Sequence, residues 1–155
     1  FTGSIINSFA DALAASVVLT GFIPMLMDTG GNAGSQASVS VVRGLSLGEI
    51  EYSDVWRIIW KEVRVAVLCG RTLAVANFAK LLLIDRVEVG VAIVVCSTLV
   101  LTVLVAKFVG CVLPILAKRI GFDPAVMASP FITTIVDALS LLIYFQIACA
   151  VLHIG

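Results

Sequence analysis

Four long apolar stretches constrain the fold of this chain more than any other feature. They cover residues 9 to about 42, about 65 to 84, about 87 to 117, and 124 to about 152. Each can cross a bilayer as a helix, since a crossing takes roughly 20 apolar residues. Hydrophobic residues make up 61% of the 155 residues and charged residues 13%, which excludes an ordinary soluble domain. We therefore expect an all-α, polytopic membrane helical bundle with four membrane helices, forming one domain over residues 1–155.

Basic residues are distributed unevenly among the connections between these stretches. Six of them flank the first and third connections, and two flank the middle one: Arg43, Arg57, Lys61, Arg64, Lys118 and Arg119, against Lys80 and Arg86. By the positive-inside rule, the first and third connections are cytoplasmic and both chain ends are extracytoplasmic. Ten basic residues balance ten acidic ones, which gives no sign of nucleic-acid binding.

Residues 53–64 mix charged and apolar side chains, with Trp56 and Trp60 one helical turn apart. This pattern fits an amphipathic helix lying at the cytoplasmic interface of the membrane. It fits equally the first turns of a long helix that continues into the second apolar stretch. The sequence leaves both alternatives open.

Polar and small residues interrupt the first apolar stretch, where residues 30–36 read Gly-Gly-Asn-Ala-Gly-Ser-Gln. In a helix, Asp28, Asn32 and the pair Ser35 and Gln36 recur on one face. Polar groups at membrane depth are costly unless they face protein or a water-filled cavity. Glycines such as Gly31 allow another backbone to come close or leave carbonyl groups open to an ion. We expect this face to line a path through the membrane.

The last apolar stretch carries a similar face around a single charge. Asp123 and Pro124 suit a helix start, with Asp123 as the N-cap and Pro124 at the first helical position. Further along, four residues at i, i+3, i+4 and i+7 share one face: Pro130, Thr133, Thr134 and Asp137. An aspartate near mid-membrane predicts a functional site.

Two intramembrane basic residues offer a different reading of that aspartate. Arg71 and Lys107 lie within the second and third apolar stretches, and either could pair with Asp137. In that case Asp137 would be part of a buried ion pair rather than a binding site. The binding site is the default interpretation of Asp137, and the ion pair is the alternative.

Three motifs together carry a family resemblance over nearly the whole chain. They are GFIPMLMDTGGNAGSQ at residues 21–36, VRGLSLGE at residues 42–49, and a DPAV segment at residues 123–126 that continues through Pro130, Thr133-Thr134 and Asp137. The chain resembles the membrane domain of the MgtE family of magnesium channels. The resemblance implies a homodimer with five membrane helices per subunit, a pore on the two-fold axis and an upstream cytoplasmic Mg²⁺-sensing region. The first membrane helix and the cytoplasmic domains would then lie outside this chain, which we expect to be a fragment. The resemblance also makes Asp137 the central ion-binding residue and places Asn32 along the pore.

The resulting expectation is a magnesium-selective channel of the cell membrane that passes hydrated Mg²⁺, with Mn²⁺ and other divalent ions as competitors. Asp137 is the metal-binding residue, and the candidate pore-lining residues are Asn32, Asp28, Gly31, Ser35, Gln36, Pro130, Thr133 and Thr134. A secondary transporter of divalent cations is the alternative, because polar breaks in membrane helices also mark carriers. We expect no enzyme activity: the one histidine, His153, lies far along the chain from the serines at 35, 38 and 40, so no nucleophile–base pair is evident.

Overall fold

The computed structural model describes residues 17–126 and 130–152 as a helical bundle. The elements are α1 (Val17–Thr20), α2 (Ile23–Ser46), a 3-10 turn (Tyr52–Asp54), α3 (Val55–Leu83), α4 (Val89–Arg119) and α5 (Pro130–Leu152). No strand occurs in these two ranges, so the all-α expectation is confirmed for them. Residues 9–16 of the first predicted stretch, and His153, lie outside the described residues.

Three of the helices, α3, α4 and α5, are long and apolar enough to cross a membrane. α2 has 24 residues, and at 1.5 Å per residue its length of about 36 Å exceeds the roughly 30 Å of hydrocarbon. α2 is nevertheless less apolar than the other three helices and is not among those apolar enough to cross a membrane. Polar residues such as Asp28, Asn32 and Gln36, and several glycines, replace apolar side chains in it. The expectation of four membrane helices is therefore confirmed for three within the described residues.

The first predicted stretch is interrupted rather than continuous. A turn at residues 21–22 separates α1 from α2. Pro24 lies in the first turn of α2, where its missing N–H removes no helical hydrogen bond. The break falls just before the proline, so α2 begins where a proline is favourable.

The start of the last helix was predicted too early. Residues 124–126 form a turn, in which the Ala125 N–H donates to Asp123 Oδ1 at 2.9 Å. Asp123 therefore stabilises this turn through an Asx-type hydrogen bond instead of capping a helix. The described part of α5 begins at Pro130, a residue type that suits the first turn of a helix.

Residues 55–64 are the first turns of α3, which runs without a break to Leu83. Trp56 and Trp60 are 78% and 63% exposed there. The geometry is that of the long-helix alternative. Whether these turns lie at a membrane interface stays a prediction.

α4 is the centre of the bundle and packs against α2, α3 and α5. A core cluster joins Leu26 of α2, Leu99 of α4 and Tyr144 of α5. The Tyr144 hydroxyl donates to the Leu19 carbonyl oxygen at 2.8 Å, which satisfies a buried polar group and ties α5 to α1. Because α2 also contacts α5 directly, the two polar motifs of the sequence become neighbours.

Candidate functional site

The polar stripe of α2 lies on the outer surface of the bundle. Asp28, Asn32 and Gln36 are all exposed, whereas Gly30 and Gly34, on the opposite face, are buried. This division follows from the helical period, since residues four apart share a face. The small residues of α2 therefore pack inward and the polar side chains point away from the core.

The polar residues of α5 are organised around the carbonyl group of Pro130. The hydroxyls of Thr133 and Thr134 donate to Pro130 O at 3.0 and 2.8 Å. This carbonyl lies at the helix start, and the threonines bond back to their own helix. Asp137 follows one turn later and is half-buried.

The two polar motifs meet at one small cavity between α2 and α5. It has a volume of about 160 Å³ and is lined by Met27, Asp28, Gly31, Asn32, Thr133 and Asp137. The lining offers two carboxylates, an amide and a hydroxyl, which are the oxygen donors that hard cations such as Mg²⁺ prefer. Two carboxylates facing one cavity repel each other unless a cation or water lies between them.

Gly31 allows α2 to approach the Asp137 carboxylate of α5 closely. A Cβ atom at Gly31 would lie 3.4 Å from Thr133 Cγ2 and 3.7 Å from Asp137 Oδ1. The absence of a side chain at Gly31 thus leaves the space between the helices open to solvent-sized groups.

Gly34 and Gly110 bring α2 and α4 into backbone contact. A Cβ atom at Gly110 would collide with the Gly34 carbonyl oxygen, and a Cβ at Gly34 would lie 2.9 Å from Ile132 Cγ2 of α5. Small residues at helix crossings of this kind let membrane helices pack closely. The glycines of the motif therefore divide into those that serve packing and Gly31, which faces the cavity.

Of the nine predicted site residues, the structure brings five to this cavity: Asp28, Gly31, Asn32, Thr133 and Asp137. The other four do not line it. Ser35 is half-buried, and Gln36, Pro130 and Thr134 are exposed. Met27, which the sequence analysis did not single out, lines the cavity through its position beside Asp28.

The intramembrane lysine has a partner other than Asp137. Lys107 Nζ lies 2.9 Å from Glu62 Oε2, and the two side chains are only 10% and 14% exposed. The sequence pattern did not indicate this pairing, because Glu62 falls in the segment with the mixed charge pattern, 45 residues from Lys107. Arg71 is exposed on α3, and the ion pairs recorded among the described residues, Lys107–Glu62 and Lys80–Asp85, do not include it.

Within residues 17–126 and 130–152, no three histidine, cysteine, aspartate or glutamate residues come together as a metal-binding group. The cavity lining therefore supplies two acidic side chains, Asp28 and Asp137, together with neutral oxygen donors. Such a set suits a cation that keeps much of its hydration shell.

Comparison with known proteins supports this reading of the motifs. The family model MgtE, described as a divalent cation transporter, matches residues 23–147. This match includes both polar faces and the whole of the cavity lining.

Three curated relatives are each named "Magnesium transporter MgtE". The protein from Bacillus subtilis is 39% identical over 152 residues, which cover 98% of this chain and 34% of the relative. The protein from Thermus thermophilus is 36% identical over 153 residues, with 95% and 32% covered, and that from Enterococcus faecalis is 32% identical over 149 residues, with the same coverage. The chain thus spans about a third of the length of these relatives.

The family match and the three apolar helices of membrane length agree with each other. The chain belongs to the MgtE family of divalent cation transporters and is a multi-pass membrane protein.

Proposed function

We propose that this chain is the pore-forming part of a magnesium channel, which passes hydrated Mg²⁺ along the faces of α2 and α5. The observation that carries the proposal is the cavity where Asp28, Asn32 and Asp137 converge. The named function of the curated relatives, magnesium transport, supports the choice of ion.

The exposed polar stripe supports a homodimer. Asp28, Asn32 and Gln36 lie on the outer surface of one bundle, and such groups are costly against lipid tails. A second copy related by a two-fold axis would place the same stripe opposite, so that both face a shared, hydrated path. Each protomer then contributes one half of the wall.

The chemistry of Mg²⁺ suits this arrangement. Mg²⁺ prefers octahedral oxygen coordination and sheds water reluctantly, so it takes few direct carboxylate ligands. One Asp137 from each protomer supplies two negative charges to one hydrated divalent cation. The Asn32 amide and the Thr133 hydroxyl oxygen can accept hydrogen bonds from the retained water. Selectivity then depends on the size and acceptor pattern of the cage around the hydrated ion.

Ser35, Gln36, Pro130 and Thr134 belong to the same path, away from the Asp137 level. Gln36 is one turn beyond Asn32 on the exposed face of α2, and Pro130 and Thr134 are exposed at the start of α5. We assign hydrogen bonding with the ion's water shell to Ser35, Gln36 and Thr134, and we place Pro130 beside them as an exposed residue of the wall. The path would thus continue toward the end of the bundle where α2 ends and α5 begins.

The end of the bundle that carries Arg43, Lys118 and Arg119 is proposed to be cytoplasmic, by the positive-inside rule. Both chain ends would then be extracytoplasmic, and a cytoplasmic regulatory region of the full protein would approach the basic end. Cysteines introduced at Ser46 and at Glu88, in a background without Cys69, would test this. A membrane-impermeant thiol reagent added outside intact cells should label only position 88, and labelling of position 46 alone would reverse the orientation.

The channel is tested by reconstituting the purified protein into liposomes and planar bilayers. We expect Mg²⁺ flux together with unitary, voltage-dependent currents, which a carrier that changes conformation for every ion does not give. Flux without unitary currents would favour a secondary transporter of divalent cations.

Light scattering in mild detergent tests the assembly separately. A dimer is expected. A monomer that retains full Mg²⁺ flux would show that the pore does not lie on a two-fold axis. The dimer and the ion pathway can therefore fail independently.

A further inference from the structure

A second cavity, of about 510 Å³, lies between the first turn of α3 and the last turns of α4. It is lined by Val55, Trp56, Val112, Ile115, Leu116 and Arg119. None of these residues lines the carboxylate cavity, which α2 and α5 form. The two sites are therefore separate.

The lining of this groove has a polarity gradient. Five of its six residues are apolar or aromatic, and the charged one, Arg119, is the last residue of α4. Arg119 is exposed, and no ion pair or hydrogen bond of its guanidinium group is recorded among the described residues. The groove thus offers an apolar surface with one unpaired guanidinium group at its end.

The apolar side chains at the groove are open to their surroundings. Trp56 is 78% exposed and Leu116 is 46% exposed. Both belong to helices that are long and apolar enough to cross a membrane. A tryptophan and an arginine at the ends of membrane helices are typical of the lipid headgroup level.

The spacing between Val112 and Arg119 along α4 suits a bound lipid. Arg119 is seven positions after Val112, a rise of about 10 Å along the helix. That distance spans the depth from the upper acyl chains to the phosphate layer. A guanidinium group binds phosphate through paired, charge-assisted hydrogen bonds.

We propose that this groove binds an anionic phospholipid of the surrounding bilayer. The first part of an acyl chain lies against Val112 and Leu116, and the phosphate group is bound by Arg119. The indole of Trp56 lies beside the glycerol region. This site does not depend on the proposed ion pathway, because no residue is shared between them.

The occupant follows from the charge and the place of the groove. A zwitterionic lipid offers the same phosphate but adds a positive group, which the positive charge of Arg119 disfavours. Anionic lipids also concentrate basic membrane-proximal segments by long-range attraction. Arg119, the one charged residue among those that line the groove, therefore favours an anionic headgroup.

Native mass spectrometry of the full chain in mild detergent tests the site, with phosphatidylglycerol and phosphatidylcholine of identical acyl chains as probes. We expect phosphatidylglycerol to be retained preferentially. Arg119→Gln should lower its retention about tenfold, since it removes charge-assisted hydrogen bonds. Val112→Phe should lower retention of both lipids by filling the groove. Arg86→Gln is the matched control, because it removes the same charge at the other end of the bundle.

A fluorescence measurement keeps the test open if a variant does not fold. The chain has two tryptophans, so Trp60→Phe leaves Trp56 alone. Phosphatidylglycerol brominated near the top of its acyl chains should quench Trp56 more strongly than the brominated phosphatidylcholine does. Equal quenching by both lipids would overturn the proposal.

Two other outcomes would also overturn it. If millimolar inorganic phosphate displaces phosphatidylglycerol and Val112→Phe has no effect, the groove binds free anions rather than lipid. If Val112→Phe changes the mass of the assembly while lipid retention stays the same, the groove is an interface between copies of the chain.

Discussion

Gly31 of α2 faces Asp137 of α5 so closely that a methyl group on the glycine would lie 3.7 Å from the aspartate Oδ1. This is an ordinary van der Waals distance. A methyl group at Gly31 would therefore fit beside Asp137 without a clash, but it would fill the space between them. The pair joins the two polar motifs of the sequence, one on α2 and one on α5, at one cavity. It also gives the glycines of the chain distinct, testable roles.

The Gly31→Ala protein should fold normally but conduct Mg²⁺ poorly. The added methyl group meets Thr133 Cγ2 at 3.4 Å without a clash, and alanine favours the helix by about 1 kcal/mol relative to glycine. The unfolding temperature should therefore stay the same or rise, while Mg²⁺ flux in liposomes falls several-fold because the cavity is narrower. Undiminished flux would show that ions do not pass this point.

Gly110→Ala should have the opposite pattern. Its methyl group would collide with the Gly34 carbonyl oxygen of α2, a backbone atom that cannot rotate away. Overpacking of this kind costs about 1–3 kcal/mol, so the unfolding temperature measured by tryptophan fluorescence should drop clearly. An unchanged unfolding temperature would mean that α2 and α4 are not in backbone contact.

Asn32→Leu should reduce Mg²⁺ flux strongly and leave the fold intact. Leucine is favourable in a membrane helix, and Asn32 is exposed, so no core packing is lost. Its apolar side chain would narrow the path and remove an acceptor for the ion's water. Thr72→Leu is the control, because Thr72 is an exposed polar residue of α3 that does not line the cavity. Normal Mg²⁺ flux through the Asn32→Leu protein would show that the polar stripe is a packing surface and not the wall of the path.

Asp137→Asn should weaken Mg²⁺ binding by about tenfold or more, equivalent to at least 1.4 kcal/mol. The amide keeps the shape of the side chain but removes the charge from both halves of a dimeric site. Asp137→Glu keeps the charge on a longer arm, which should crowd the retained water and favour Ca²⁺. Titration of Mg²⁺ and Ca²⁺ against the three proteins measures both effects. Asp85→Asn, outside the cavity, is the matched control.

The same titration at two pH values tests the carboxylate directly. Protons compete with a metal ion for a carboxylate ligand, so the apparent Mg²⁺ affinity of the unmodified protein should fall as the pH is lowered. The Asp137→Asn protein should show a weaker dependence, since it has lost a competing group. Identical pH profiles of Mg²⁺ affinity for the two proteins would show that Asp137 is not part of the binding site.

Glu62→Gln should destabilise the bundle by about 3–5 kcal/mol, because it leaves the buried Lys107 without its charge partner. The double variant Glu62→Leu/Lys107→Met should recover most of this loss, since it removes both charges together. Ion selectivity should stay unchanged in both, because neither residue lines the cavity. Lys80→Met breaks the exposed Lys80–Asp85 pair and should cost less than about 1 kcal/mol. A double variant as unstable as the single one would show that the two residues stabilise the fold by other contacts.

The sequence by itself determined the class of the protein and its two polar faces. Long apolar stretches leave few alternatives to membrane helices, and the helical period places Asp28 with Asn32 and Thr133 with Asp137. These are local properties, because they depend only on residues within two turns of each other. The family resemblance came from three sequence motifs, and five of the nine predicted site residues line the cavity.

Only the tertiary structure decided which residues meet. The packing of α2 against α5 brings Gly31, rather than Ser35 or Gln36, to Asp137. The partner of Lys107 is 45 residues away in the chain, and the choice of Glu62 depends on how α3 and α4 are rotated against each other. Such rotations are set by side-chain volumes along the whole contact between helices, which no local pattern encodes.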